Sequence, residues 1–462
     1  MNLHRLLQQR AADGRSLRVL LIGAGKFGSM FLAQARRTPG IHLVAIADLA
    51  PQRARDALSR TGWQAEQYGA RSIEEAAKKG TTCVTDDAPA AIASNAVEIV
   101  IDATGSPAAG IRHALDCCEQ RKHIVMVNVE ADCLAGPLLA RRARDAGLVY
   151  SLAYGDQPAL ICEMVDWARA AGFEVVAAGK GTKYLPAYHD STPETVWGHY
   201  GFSPEQVARG DFNAQMFNSF LDGTKSAIEM AAVSNATGLT PAPNGLAFPP
   251  CGVDELPCVL KPRADGGQLH HRGQVEVVSS LARDGGPVTR DLRWGVYCTF
   301  AADAEYVKRC FSEYGLVTDE SGNYAAMYKP YHLIGLELGI SVASVGLRRE
   351  PTGAPTGFRA DVVAVAKRAL SAGEILDGEG GYTIWGRLAP ARASLQQRAL
   401  PIGLAQGAKL IRSVAKGQPV TWLDVEPMDS QAAGVRLEME ALFAPELGVQ
   451  DSRSKVQGSR EA

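Results

Sequence analysis

The chain has 462 residues, 46% of them hydrophobic, with a formal net charge of −2, which is enough material for two to four domains with sizeable cores. The lack of a basic excess excludes nucleic acid, whose phosphates would have to be neutralised, and no apolar run reaches the length of a membrane span. The amino terminus lacks a signal-peptide core, and the nine cysteines lack paired C-x-x-C spacing, so a cytoplasmic protein without disulfide framework or zinc site is expected.

In chain order, MNLHRLLQQRAADGR reads as a short capping helix. VLLIGAGKFG follows, with Val19 to Ile22 as a buried strand, glycines at 23, 25 and 28 in G-x-G-x-x-G, and Ser29 to Arg36 as a helix. Gly23 permits the turn, Gly25 lets a pyrophosphate approach the backbone, and Gly28 lets helix and strand pack closely. The expected cofactor-binding set is therefore Gly23, Ala24, Gly25, Lys26, Phe27 and Gly28. A second strand, Ile41 to Ala47, ends at Asp48, near the position of a ribose-binding carboxylate. Further parallel strands are expected at Ala96 to Ala103 and His123 to Val129, with Thr104, Gly105 and Asn128 at carboxyl ends that face a cofactor. The fold class is thus α/β, a Rossmann doubly wound parallel sheet over residues 1–150.

From Tyr150 the pattern changes to a second, α+β catalytic domain over 151–350. Stretches between Val275 and Phe300 alternate like a half-exposed antiparallel sheet, and Tyr331 to Leu347 reads as a long apolar helix returning to the nucleotide domain. PTGAPTGF, Pro351 to Phe358, reads as a linker. A small β-rich module over 359–430 contains two similar phrases, AKRALSAGEIL and IRSVAKGQPVTWLDV, and residues 447–462 form a polar tail expected to be disordered.

A nicotinamide domain implies hydride transfer, so the second domain should hold a small-molecule substrate and a proton donor. In FLDGTKSAIEM, a helix from about Gly223 would put Lys225 and Glu229 on one face with Asp222 at its amino end. A lysine beside carboxylates stays protonated and can donate to a carbonyl oxygen; the plainer alternative is a surface salt bridge with a helix cap. Asp48 favours NAD(H) by pairing with ribose hydroxyls, whereas Arg53 or Arg55 could engage the 2′-phosphate of NADPH.

Asp222 and Lys225 resemble the aspartate and lysine, three residues apart, of homoserine dehydrogenases. The C-terminal phrases resemble a SAF-type domain. A wider resemblance runs through VNVEADCLAGPLLA, YGDQPAL, AAGKGTKYLPAYH, TVWGHYG, FNSFLDGTKSAIEMAA, AFPPCGVD and YHLIGLELGISV. On these the chain is similar to the DXR-like (DRL) family of deoxyxylulose-phosphate reductoisomerase-like enzymes. The resemblance implies conversion of 1-deoxy-D-xylulose 5-phosphate to 2-C-methyl-D-erythritol 4-phosphate in isoprenoid biosynthesis, with NADPH as cofactor. The phosphate would then need cations and hydroxyls, for which Lys180, Thr182, Lys183, Lys329, Tyr331 and His332 are candidates, with Lys183 and Lys225 foremost and His189 and His199 behind them. A divalent ion, magnesium or manganese, would help the rearrangement, with Glu130, Asp132 and Glu163 as candidate ligands. A homodimer is the base-rate expectation. The alternatives are an oxidoreductase of another keto or polyol substrate and a nucleotide-sensing scaffold.

Overall fold

A computed structural model describes residues 2–209 and 212–449. The chain divides into two compact units: Met1–Asp166 with Tyr331–Thr356, and Trp167–Pro330 with the residues from Gly357 onward. Most of the expected tail lies outside the described residues. Among the described residues no helix is long and apolar enough to cross a membrane.

The first unit is built on six strands, β1 (Leu17–Ile22), β2 (Ile41–Ala47), β3 (Cys83–Thr85), β4 (Ile99–Asp102), β5 (His123–Met126) and β6 (Tyr150–Leu152). They pair in parallel in the order β3-β2-β1-β4-β5-β6. This is the doubly wound order, in which ligands collect at the carboxyl ends where the strand order reverses, between β1 and β4. The apolar runs are continuous rather than alternating because helices cover both faces of a parallel sheet.

The segment expected as one helix from Tyr331 to Leu347 is helical only over Gly339–Arg348. Gly335 interrupts it with φ +73, and its α-carbon lies so close to the first helix after β1 that a Cβ would sit 2.7 Å from the Phe27 carbonyl oxygen. Leu338, Val342 and Val345 then join the core that contains Leu17, Val19 and Ile99. Nor is the proline- and glycine-rich stretch a loose linker at its start. Thr352 takes a bond from its amide to Ser151 Oγ, and Gly353 accepts one from the Leu152 amide, so both belong to the edge of β6.

The second unit has a four-stranded sheet of β7 (Glu174–Thr182), β8 (Gln274–Ser279), β9 (Val296–Ala301) and β10 (Tyr324–Lys329) in the order β10-β9-β7-β8. The antiparallel expectation holds for β9, which pairs antiparallel with β7 and β10, but not for β8, which pairs with β7 in parallel, and the half-exposed expectation fails because β8 and β9 are buried along their whole length. The polar residues of β8 gave the alternation, yet they lie inside because each finds partners. Glu276 accepts from the amides of Ala247 (3.0 Å), Phe248 (3.3 Å) and Val277 (2.9 Å).

The C-terminal module pairs β11 (Ala360–Ala366) with β12 (Ile384–Pro390) antiparallel. It extends beyond residue 430, through the helix Gln431–Phe443. Arg436 of that helix is fully buried and bonds Asp361 of β11 through Nη1 (3.1 Å) and Nη2 (2.5 Å), and Glu440 through Nε (3.0 Å).

Candidate functional site

In the first unit, the helix Lys26–Ala35 begins at the glycine loop, with its positive end at the carboxyl edge of the sheet. Each glycine has a separate reason. A Cβ at Gly23 would lie 2.7 Å from the Ala103 carbonyl oxygen and one at Gly28 2.4 Å from that of Gly23, whereas one at Gly25 would meet nothing within 4 Å. Gly25 therefore leaves open the space that a pyrophosphate would need, and the other two pack against backbone. Lys26 and Phe27 open the helix beside it.

Asp48, directly after β2, is 4% exposed. Its Oδ2 accepts from the Ala24 amide at 2.8 Å, its Oδ1 from the Ala50 amide at 2.9 Å, and Arg53 Nη2 donates to both oxygens at 2.8 Å. Burial would raise its pKa, but the Arg53 bond and the two amides outweigh that and hold it below the usual aspartate value. All four acceptor positions of the carboxylate are thus in use. Arg53 spends one nitrogen on this pair while its side chain stays 60% exposed.

The loop after β4 is held by a residue that sequence reading missed. Buried Asp102 accepts from Thr104 through its amide (3.0 Å) and hydroxyl (2.8 Å), and its Oδ2 lies 2.6 Å from His113 Nδ1. Asn128, expected to face a cofactor, is 1% exposed; its Nδ2 donates to the Ser106 carbonyl at 2.7 Å and its Oδ1 accepts from the Ala131 amide at 3.1 Å. Its observed work is to cap the helix Val129–Asp145 and fix the Thr104 to Ser106 loop, which makes it a positioning residue. Gly105 has φ +68, with open space on its Cβ side.

The three acidic candidates for a metal do not assemble. Asp132 is fully buried and accepts the Tyr150 hydroxyl at 2.8 Å, Glu163 accepts the Tyr154 hydroxyl, and Glu130 lies in the first turn of the Val129–Asp145 helix. Among the described residues no group of three His, Cys, Asp or Glu could hold a metal ion. These residues do not fit a shared divalent ion.

In the second unit, the helix Thr224–Thr237 starts at Gly223, whose φ is +91. Lys225 occupies its first turn. Asp222, ahead of it, is fully buried, accepts from the Thr224 amide at 2.9 Å, and is ion-paired with Lys367 at 2.8 Å. Burial raises the Asp222 pKa against the pull of Lys367. Lys367 comes from the C-terminal module and also donates to the carbonyls of Ser191 (2.7 Å) and Gly381 (2.8 Å). Glu229 is buried against Lys180, so this lysine and carboxylate, expected in separate roles, form one ion pair.

Next to Asp222 stands a relay of bonds. His189 Nδ1 lies 2.7 Å from the Asp222 carbonyl oxygen, so it carries the proton and donates; Nε2 then accepts the Tyr184 hydroxyl at 2.9 Å. Burial lowers the His189 pKa, which keeps the ring neutral. The ring stacks on Trp385 of β12 at 3.8 Å, and Tyr184 stacks on Phe248 at 3.9 Å. Lys183, just past Thr182 at the end of β7, donates to the His199 carbonyl at 2.6 Å and lies 5.7 Å from the Tyr200 ring centre. Arg293 approaches the same ring at 5.9 Å. Burial, then Arg293, lowers the Lys183 pKa. Two cations around one aromatic ring can receive a dianion, and Arg293 gave no sequence signal. Lys329 ends β10, whereas Tyr331 and His332 belong to the first unit.

Residues 17–127 match the oxidoreductase family with an NAD-binding Rossmann fold, and residues 155–338 match the catalytic domain of the oxidoreductase DRL. Two separate stretches of the chain are thus similar to oxidoreductase domains, one of them an NAD-binding Rossmann domain. No curated protein matches it. Among solved structures it is similar to a probable dehydrogenase from Thermotoga maritima at 13% identity, covering 72% of this chain and 90% of that one with a TM-score of 0.35. It is also similar to 1-deoxy-D-xylulose 5-phosphate reductoisomerase from Zymomonas mobilis in complex with NADPH, at 16% identity, 47% and 57% coverage and a TM-score of 0.33. A myo-inositol dehydrogenase from Lactobacillus casei in complex with NAD(H) and myo-inositol follows at 15% identity, 39% and 50% coverage and a TM-score of 0.28. The chain thus spans about half the length of the last of these.

Proposed function

We propose that this chain is an NADPH-dependent reductoisomerase that converts 1-deoxy-D-xylulose 5-phosphate to 2-C-methyl-D-erythritol 4-phosphate, acting in the cytoplasm as a homodimer. The observation that carries the reading is the match of residues 155–338 to the DRL catalytic domain, because that segment holds Lys183, Asp222 and Lys225. In this reading Lys183 and Arg293 receive the phosphate, and Lys225 donates a proton to the carbonyl oxygen as hydride arrives from the nicotinamide. Asp222, His189 and Tyr184 are positioning residues that fix the start of the Lys225 helix.

The saturated Asp48 supports NADPH over NADH. A carboxylate whose acceptor positions are filled by Ala24, Ala50 and Arg53 has none left for ribose hydroxyls, while Arg53 keeps free donors for a 2′-phosphate. Arg53→Ala is expected to weaken NADPH binding by roughly 10- to 100-fold and leave NADH binding nearly unchanged.

The direct test follows NADPH and NADH oxidation with 1-deoxy-D-xylulose 5-phosphate as substrate. Oxidation of NADPH, with Lys225→Met slowing turnover about 100-fold at unchanged cofactor affinity, is the expected result. Tight NADPH binding without turnover on this substrate would leave the oxidoreductase standing and overturn the substrate assignment.

A further inference from the structure

At the edge of the first unit opposite the glycine loop, the amino ends of β5 and β6 frame a cavity of about 580 Å³ lined by Arg121, His123, Arg144 and Arg349 together with the backbone before β6. The glycine loop sits at the carboxyl end of β1, so the two places are separated by a strand's length, on the order of 15–20 Å.

All three arginines are exposed, and none makes an ion pair among the described residues. Helix ends at Glu119, Asp145 and Arg348 converge on this edge. A helix carboxyl end carries only about half a negative charge, so three guanidiniums exceed what the helices neutralise. Two of the arginines also occupy left-handed backbone, Arg121 with φ 56 and Arg349 with φ 60, where glycine would be the unstrained choice.

His123 adds a neutral donor to the same cavity. It is 6% exposed, and its Nδ1 accepts the Val149 amide at 2.9 Å. Burial, then the neighbouring Arg349, pushes its pKa down to about 4, so at neutral pH the ring is uncharged and the proton sits on Nε2. That N–H has no protein partner among the described residues and lies on the cavity wall. It is not among the buried unpartnered side-chain atoms, so a ligand or solvent entering the cavity can reach it.

We propose that this cavity is a second anion site, which binds a diphosphate group through the three guanidiniums and the His123 Nε2 proton. A diphosphate matches three fixed positive charges, and guanidinium forks suit its paired oxygens. The group can come from inorganic pyrophosphate or from an organic diphosphate.

The test titrates pyrophosphate, and separately ADP, into the full chain saturated with NADPH, so that the glycine loop is filled. Binding that weakens with added salt, and falls at least 10-fold in Arg121→Gly/Arg349→Gly, is the expected result. Those substitutions suit the left-handed backbone, so the unliganded Tm should hold or rise. Arg144→Gln provides a second variant on regular helix, with a several-fold loss expected. Tighter ADP binding assigns the organic diphosphate, and tighter pyrophosphate binding the free anion. No binding to the NADPH-saturated protein, or binding unchanged in these variants, overturns the proposal.

Discussion

The glycine loop and the amino end of the Thr224–Thr237 helix are both places where a helix begins beside expected chemistry, yet they are built in opposite ways. The first is local: Gly23, Gly25, Gly28 and Asp48 lie within thirty residues, and the backbone itself forms the cradle. The second is assembled from distant segments, with Asp222 neutralised by Lys367, and His189 held between the Asp222 carbonyl and the Trp385 ring. A motif of backbone shape needs only nearby glycines, while a buried charge needs whatever partner the fold can bring to it. The C-terminal module is therefore part of the foundation of the helix that carries Lys225.

The largest expected effect breaks the distant arrangement. Lys367→Met leaves the Asp222 carboxylate buried without its cation, and urea unfolding should show a loss of about 3–5 kcal/mol. Asp222→Asn in the same chain should recover part of that loss, because it removes the orphaned charge. A single Lys367→Met protein as stable as the parent would mean that the pair is not buried as described. NADPH binding should persist wherever the protein stays folded, since the cradle is built separately.

Gly28→Ala makes the complementary change to the local arrangement. The added Cβ would lie 2.4 Å from the Gly23 carbonyl oxygen, a backbone atom that cannot swing aside. A destabilisation of roughly 1–3 kcal/mol is expected, with a loss of NADPH affinity well beyond it in proportion. Gly25→Ala should lower affinity with little change in stability, because its Cβ meets open space in the protein and only a bound pyrophosphate would be obstructed. Fluorescence titration of NADPH against thermal unfolding separates the two.

This contrast also decides what could be read from the sequence. The doubly wound class and four of its strands, β1, β2, β4 and β5, follow from continuous apolar runs and a glycine fingerprint, both of which depend on neighbours in the chain, whereas the three-residue strands β3 and β6 are too short to carry such a signal. Asp102 was not legible because its partners, Thr104 and His113, become one network only when β4 ends beside the Asn128 cap. Lys180 and Glu229 looked like two candidate site residues because nothing in their spacing shows that β7 faces the helix. The half-exposed reading of β8 failed for a related reason: alternation reports polarity, and Glu276 is polar but satisfied indoors. Arg436 gave no sequence signal either, because its buried partner Asp361 lies 75 residues away in the chain.

The smallest expected effect compares two buried carboxylates, one in each unit, whose pKa values burial raises to about 7. A carboxylate with a folded pKa above its unfolded value near 4 binds more protons in the folded state between those limits. Stability must then fall as pH rises from about 4 to about 7. Asp132 has one donor, the Tyr150 hydroxyl, and its Oδ2 has no hydrogen-bond partner. Asp132→Asn should therefore flatten the pH dependence and gain roughly 1–2 kcal/mol at pH 8, with little change at pH 4. Glu276 differs because three amides and the Gln274 side chain all donate to it. In Glu276→Gln the new NH2 would face one of those donors, so the same amide exchange should cost stability at every pH. Denaturant midpoints for both variants from pH 4 to pH 8 measure the contrast, and a gain in both would show that charge alone, not the donors around it, governs these two sites.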